Sequence, residues 1–192
     1  MNSFPTTIKM VDGPGMLELI TSRQSDRKYE NRPVEQDKLD RIIEAARMSP
    51  SANNAQPWKF IVITERDLLD RIADAASAKL LGMNSFVGHA PVQIVMVREK
   101  SDIQTRAARV VKKRDYSLID IGIAAENICL QAEAEGLGTC IIGWFDEKAL
   151  RKHLGIPSSK RVELIITIGY SLSHQREKKR KPKDSTVSYN KY

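Results

Sequence analysis

One stretch of this chain limits its fold more than any other. Between Ser117 and Glu135, the residues Leu118, Ile119, Ile121, Ile123, Ala124, Ala125, Ile128, Cys129, Leu130 and Ala132 leave little polar face. A helix that is apolar nearly all round must be covered on most sides, by a core or by an oligomer interface. Gly136 and Gly138 supply the residue type that ends it. The rest of the chain is therefore expected to wrap this helix, alone or with a second copy.

The flanking pattern says what does the wrapping. Leu39, Ile42, Ile43 and Ala46 recur at i, i+3, i+4 and i+7 and predict an amphipathic helix over 36–48, which Pro50 stops. Further helices are predicted over 16–22, 66–80 and 101–114. Asp146 caps another that runs to Leu154 and ends on Gly155 and Pro157. Trp58–Ile63, Val92–Val97, Thr139–Ile142 and Val162–Tyr170 read as strands, and 82–91 as a loop. Two helices follow the second strand, so strict βαβ alternation is broken and the fold class is α+β. Pro5, Gly13, Pro14 and Gly15 suggest a flexible lead-in over residues 1–15, followed by one domain over 16–192.

With 41% hydrophobic and 29% charged residues, the composition is that of a water-soluble globular chain. No apolar run approaches the roughly 20 residues a membrane span needs, so no membrane partner is expected. The first residues lack the pattern of a signal peptide, and two cysteines make no disulfide framework, so a cytoplasmic location is expected. The net charge of +7 peaks in the run Arg176–Lys183. Such a run can be a solvated face, a nucleic-acid patch or a partner for a phosphate-bearing cofactor. Aromatic interleaving and helix-turn-helix signals are missing, so nucleic acid is not the expected partner.

Catalytic constellations are also missing. There is no glycine-rich dinucleotide turn after a strand and no phosphate-binding P-loop. His89, His153 and His174 lack metal-ligand spacing, so no metal site is expected. His153 suits the C-terminal turn of its helix, and Cys129 suits a core. A chain without its own acid, base or nucleophile needs a cofactor that brings the chemistry. Three segments are richer in donors than structure requires. They are Ser22-Arg23-Gln24-Ser25-Asp26-Arg27, the loop Ser49–Trp58, and Arg180-Lys181-Pro182.

These segments carry a resemblance. Ser-Pro-Ser-Ala-Asn-Asn-Ala-Gln-Pro-Trp-Lys-Phe from Ser49 is similar to the flavin loop of the nitroreductase family, Ser/Ala-Pro-Ser-x-x-Asn-x-Gln-Pro-Trp-x-Phe. Ser22–Arg27 resembles that family's N-terminal Arg-Arg-Ser-x-Arg element. The stretch from Glu135 through Gly-Leu-Gly to Phe145 resembles its Gly-Leu-Gly segment, and Arg180-Lys-Pro with the ending from Val187 resembles its C-terminal pattern. Order and spacing match from about residue 16 onward.

The resemblance implies an intertwined homodimer built on a central mixed or antiparallel sheet flanked by helices. FMN would lie at the interface, reduced by NADH or NADPH. Arg23, Gln24, Ser25 and Arg27 would hold its phosphate, ribityl chain or ring carbonyls, and Arg180 and Lys181 would add charge at the phosphate. Pro50, Ser51, Asn54 and Gln56 would line the ring, and Ile142 and Gly143 would approach its N5 edge. Trp144 stands where glycine is common and would narrow the pocket for a small electron acceptor such as a nitroaromatic or quinone. Gln24 departs from the commoner arginine. Asp26 replaces an apolar residue and sets a negative charge near the phosphate unless its side chain turns away. Lys178 and Lys183 are expected in solvent. The alternatives are a same-fold enzyme of flavin fragmentation or reductive dehalogenation, a flavin carrier without turnover, and a basic nucleic-acid-binding protein.

Overall fold

A computed structural model describes residues 11–77, 84–99 and 115–192. The helix predicted over 101–114 lies outside them, as does the end of the one predicted over 66–80. The first helix, α1 (Gly13–Ser22), starts before the predicted Met16. Asp12 accepts a hydrogen bond from Gly15 N at 2.8 Å and Pro14 occupies the first turn, a start signal inside what reads as a loose lead-in. Then come α2 (Gln36–Arg47), β1 (Trp58–Ile63), α3 (Arg66–Ala76) and β2 (Val92–Arg98). They are followed by α4 (Tyr116–Ala134), β3 (Gly138–Ile142), α5 (Glu147–Leu154) and β4 (Arg161–Gly169). The predicted loop before β2 contains a 3₁₀ turn, Ser85–His89.

The four strands form one sheet in the order β1-β2-β4-β3, each pair antiparallel. Side chains alternate between sheet faces, so β2 serves two cores at once. Ile94 and Met96 meet Ile166 and Ile168 of β4 beneath α2 and α4, with Leu39, Ile42, Ala46, Ile121 and Ile128. Val95 and Val97 face the other way, with Ile165 and Val162, and are covered by Leu69 and Ile72 of α3 and Leu150 of α5. The result is a three-layer α+β arrangement with β2 and β4 in the middle.

Helix α4 is only half covered within one chain. Ile121, Ala124, Ala125, Ile128, Cys129 and Ala132 are buried, whereas Leu118 (49%), Ile119 (46%) and Ile123 (36%) remain exposed along its other side. Nearby in the fold, α1 exposes Met16, Leu17 and Ile20. Among the described residues no helix is long and apolar enough to cross a membrane.

The outer edge of β3 is taken by a segment that is not a full strand. Ser25 bridges Thr139 in parallel and Asp26 N donates to Thr139 O at 2.8 Å, while Tyr29 bridges Ser171 antiparallel. The sheet is thus antiparallel in its body and mixed at this edge.

Replacing Ile128 by alanine removes a fully buried side chain from between α4 and the sheet. We expect a loss of about 2–5 kcal/mol in unfolding free energy, read as a lower urea midpoint with an unchanged slope. A loss well below about 1 kcal/mol would show that α4 is not the core element described.

Candidate functional site

The edge segment sorts its residues by parity. An extended chain points successive side chains to opposite sides. Gln24 and Asp26 are buried, at 8% and 3% exposure, while Arg23, Ser25 and Arg27 line an open cleft that Gln24 borders with the little surface it keeps. Asp26 therefore does turn away from the arginines. Its Oδ1 accepts from Gln24 Nε2 at 3.0 Å. Gly138 makes room for it, because a β-carbon there would crowd the Asp26 carboxylate and sit 2.8 Å from Ser171 Cβ.

The opposite wall of the cleft is the basic run. Arg176, Glu177, Lys178, Lys179 and Arg180 line it, and the enclosed space is about 630 Å³. Lys178 is not in solvent as the sequence suggests. It is half-buried, and its ammonium donates to the Arg23 carbonyl oxygen. Burial, together with the neighbouring Arg23 and Arg180 guanidinium groups, pulls its pKa below the ordinary lysine value. The free carbonyl ties the lysine down because it is one of the edge segment's outward-facing acceptors. Lys183 is exposed, as expected, and Lys181 is exposed and outside the residues lining the cleft. Arg23 also approaches Glu126 of α4 at 3.8 Å, a long and half-exposed contact that an incoming anion can displace.

The row of donors leads along β3. Ser25 lies beside Thr139, and β3 continues in the same direction through Ile142 to Gly143 and Trp144. Ile142 packs its side chain into the lower core, Gly143 is exposed, and Trp144 is 63% exposed. Asn84 Nδ2 donates to the Trp144 carbonyl at 3.2 Å, and the Arg27 guanidinium stands 5.8 Å from the centre of the Phe86 ring. Gly143 and Trp144 lie outside the residues that line the cleft itself.

The loop between α2 and β1 is held in an unusual shape. Asn53, Asn54 and Gln56 have φ of 53°, 55° and 45°, left-handed values that cost a residue with a β-carbon free energy unless fixed by its surroundings. Ser51 Oγ accepts from Gln56 N at 3.0 Å, and Gln56 Nε2 donates to Asn54 O and Oδ1, both at 3.2 Å. Two residues of α4 anchor the loop from below. Asp120 Oδ1 accepts from Ala52 N at 3.1 Å, and Asn127 Nδ2 donates to Ser49 Oγ at 2.7 Å. Burial raises the pKa of Asp120. The sequence reading missed both anchors, although a carboxylate and an amide inside an otherwise apolar helix were the available signal. Pro50, Ser51, Asn54 and Gln56 are not among the residues lining the cleft of their own chain.

Neither cysteine is poised for nucleophilic chemistry. Burial pushes the Cys129 thiol up to about 11 and also raises Cys140. Among the described residues, no group of histidine, cysteine and acidic side chains could hold a metal.

Comparison with known proteins agrees with this geometry. The sequence model of the nitroreductase family matches residues 20–170. A curated Archaeoglobus fulgidus protein, provisionally named NADH dehydrogenase/NAD(P)H nitroreductase, is 31% identical over 80% of this chain and 84% of its own length. The crystal structure of a nitroreductase family protein from Clostridium novyi NT superposes with a TM-score of 0.71 at 34% identity, covering 81% of this chain and 84% of that one. An FMN-dependent nitroreductase from Clostridium difficile R20291 gives a TM-score of 0.73 at 32% identity over 92% of this chain and 99% of that one. The fold and the family are thereby settled: the chain belongs to the nitroreductase family.

Gly138→Ala tests how tightly the edge segment must seat. The added methyl group would push against Asp26 and Ser171. We expect a loss of about 1–3 kcal/mol in urea unfolding. A neutral substitution would mean that the segment floats on β3 rather than packing into it.

Proposed function

We propose that this chain is an FMN-dependent oxidoreductase that takes electrons from NADH or NADPH and passes them to a small electrophilic acceptor, such as a nitroaromatic or a quinone. The observation that carries this reading is one cleft in which Arg23, Ser25 and Arg27 face Lys178 and Arg180. That donor set fits a phosphate monoester, whose charge of about −2 is best met by guanidinium groups and a hydroxyl. The names of the Clostridium difficile and Archaeoglobus fulgidus relatives support the flavin and the nicotinamide donor.

In this reading Arg23, Lys178 and Arg180 hold the phosphate and Ser25 takes the ribityl chain. Arg27 places a cation beside the carbonyl edge of the ring. Gly143 offers its backbone N–H beside open space, where no protein atom lies within 4 Å of a β-carbon position. Trp144 borders the acceptor pocket. FMN, when bound, supplies the hydride and electron chemistry, and the protein supplies position, charge and exclusion of water.

The reading also requires a second copy. The stripe of Leu118, Ile119 and Ile123 has the character of an interface core, and a soluble monomer rarely leaves such a patch open. Asp120 holds the loop at one end of this stripe, and Arg23 meets α4 at Glu126 further along. In this reading two copies pack these stripes face to face about a twofold axis, which would set the Ser51–Gln56 loop of one copy beside the cleft of the other.

Purified protein is expected to be yellow, to release FMN rather than FAD on denaturation, and to run as a dimer in light scattering. Arg23→Ala and Arg180→Ala each remove a charge-assisted bond worth about 1.5–3 kcal/mol, weakening FMN by roughly 10- to 150-fold. Lys183→Ala, on an exposed side chain, should change affinity by no more than a few-fold. Equal losses at all three positions would point to diffuse anion attraction, and FAD or no flavin would refute the reading outright.

A further inference from the structure

Gln24 uses all of its hydrogen-bonding capacity inside the protein. Its Nε2 donates to Asp26 Oδ1 at 3.0 Å and to His174 O at 3.1 Å. Its Oε1 accepts from the backbone N and from Nε of Arg176, both at 3.1 Å. A primary amide has two donors and one oxygen with two lone pairs, so nothing is left over for a ligand. Its orientation is also fixed. Turning the amide over would set oxygen against the Asp26 carboxylate and the His174 carbonyl, and NH₂ against the Arg176 donors.

These bonds join the edge segment to the chain 150 residues later. Arg176 completes the join by donating Nη2 to Ser25 O at 2.5 Å. Gln175 donates to Ser22 O at 2.7 Å, and Lys178 to Arg23 O. The backbone of residues 22–25 thus accepts bonds from the tail on one side, while Arg23 and Ser25 present their side chains to the cleft. At the centre of this zipper sits Gln24, buried together with its partner Asp26.

We propose that Gln24 is a positioning residue that clamps Arg176 and so seats the basic C-terminal segment as the second wall of the phosphate site, coupling tail docking to FMN binding. The proposal rests on the reading of the cleft as the FMN site. An arginine at position 24 could still donate to Asp26 and His174, but it could not accept from Arg176 and would oppose it with a like charge. Gln24 and Arg176 are therefore a matched pair.

The test uses the full-length protein stripped of flavin. FMN affinity is measured by fluorescence quenching for wild type, Gln24→Leu, Gln24→Arg, Arg176→Leu and the Gln24→Leu/Arg176→Leu double variant. Trypsin cleavage within residues 176–183 is followed in parallel, with and without FMN. In wild type, FMN should slow that cleavage. Each single variant should weaken FMN about 10-fold or more and speed cleavage of the tail. The double variant should be no worse than the weaker single one, because both remove the same clamp. Should Gln24→Leu fail to fold, Arg176→Leu on the exposed tail carries the test with the same expectation. A general loss of structure would instead speed cleavage throughout the chain and would overturn a local clamp. Wild-type FMN affinity in the single variants, or losses that add in the double, would also overturn it. A wild-type protein that binds no FMN would overturn the flavin reading itself, and the proposal with it.

Discussion

The site depends on the pairing of residues 23–29 with the free edge of β3. The bond from Asp26 N to Thr139 O and the parallel bridge at Ser25 fix the register of a short extended segment. Once the register is fixed, alternation decides the rest. Asp26 and Gln24 go inward, and the three cleft-facing residues line up beside a strand that runs on to Gly143. A slip of one residue would bury two arginines and expose a carboxylate to the ligand. Gly138 enforces the register by accepting the Asp26 side chain where a β-carbon would collide with it.

Hydrogen bonding and nearby carboxylates explain how so much positive charge can gather in one place. Arg176 and Lys178 are bonded to carbonyl oxygens of the edge segment rather than left to repel one another in water. Glu126 and Glu177 lie close by and offset part of the excess. Burial, and then the neighbouring Arg23 and Arg180 charges, lower the pKa of Lys178, and a bound dianion would favour its charged form.

Much of this was legible in the sequence because local patterns coincide with local structure. β1 has the predicted bounds, and the periodicity of Leu39, Ile42 and Ala46 gave α2 to within a residue. Asp146 and Gly155 cap α5 as their residue types require, with Gly155 at φ 64°. Arg23, Ser25, Arg27 and Arg180 do converge. What escaped was long-range. Nothing near Lys178 in sequence says that its ammonium will find the Arg23 carbonyl, and nothing near Ala52 points to Asp120. Gln24 borders the cleft as the sequence suggests, but its buried bonds to Asp26 and to the tail could not be read before the partner strand was known. The start of α1 was a different kind of miss, since Asp12 and Pro14 were present but the surrounding glycines masked them.

The central claim is that the cleft between the edge segment and the tail holds the phosphate of FMN. Phosphorus NMR of the FMN-loaded protein tests it directly. Free FMN takes up a proton on its phosphate near pH ~6, and its resonance moves accordingly. A phosphate gripped by Arg23, Lys178 and Arg180 stays dianionic, because each neighbouring cation favours the charged form. The account predicts a bound resonance that keeps its dianion position from about pH 8 down to about pH 5. A bound resonance that titrates like free FMN would place the phosphate in solvent and contradict the account.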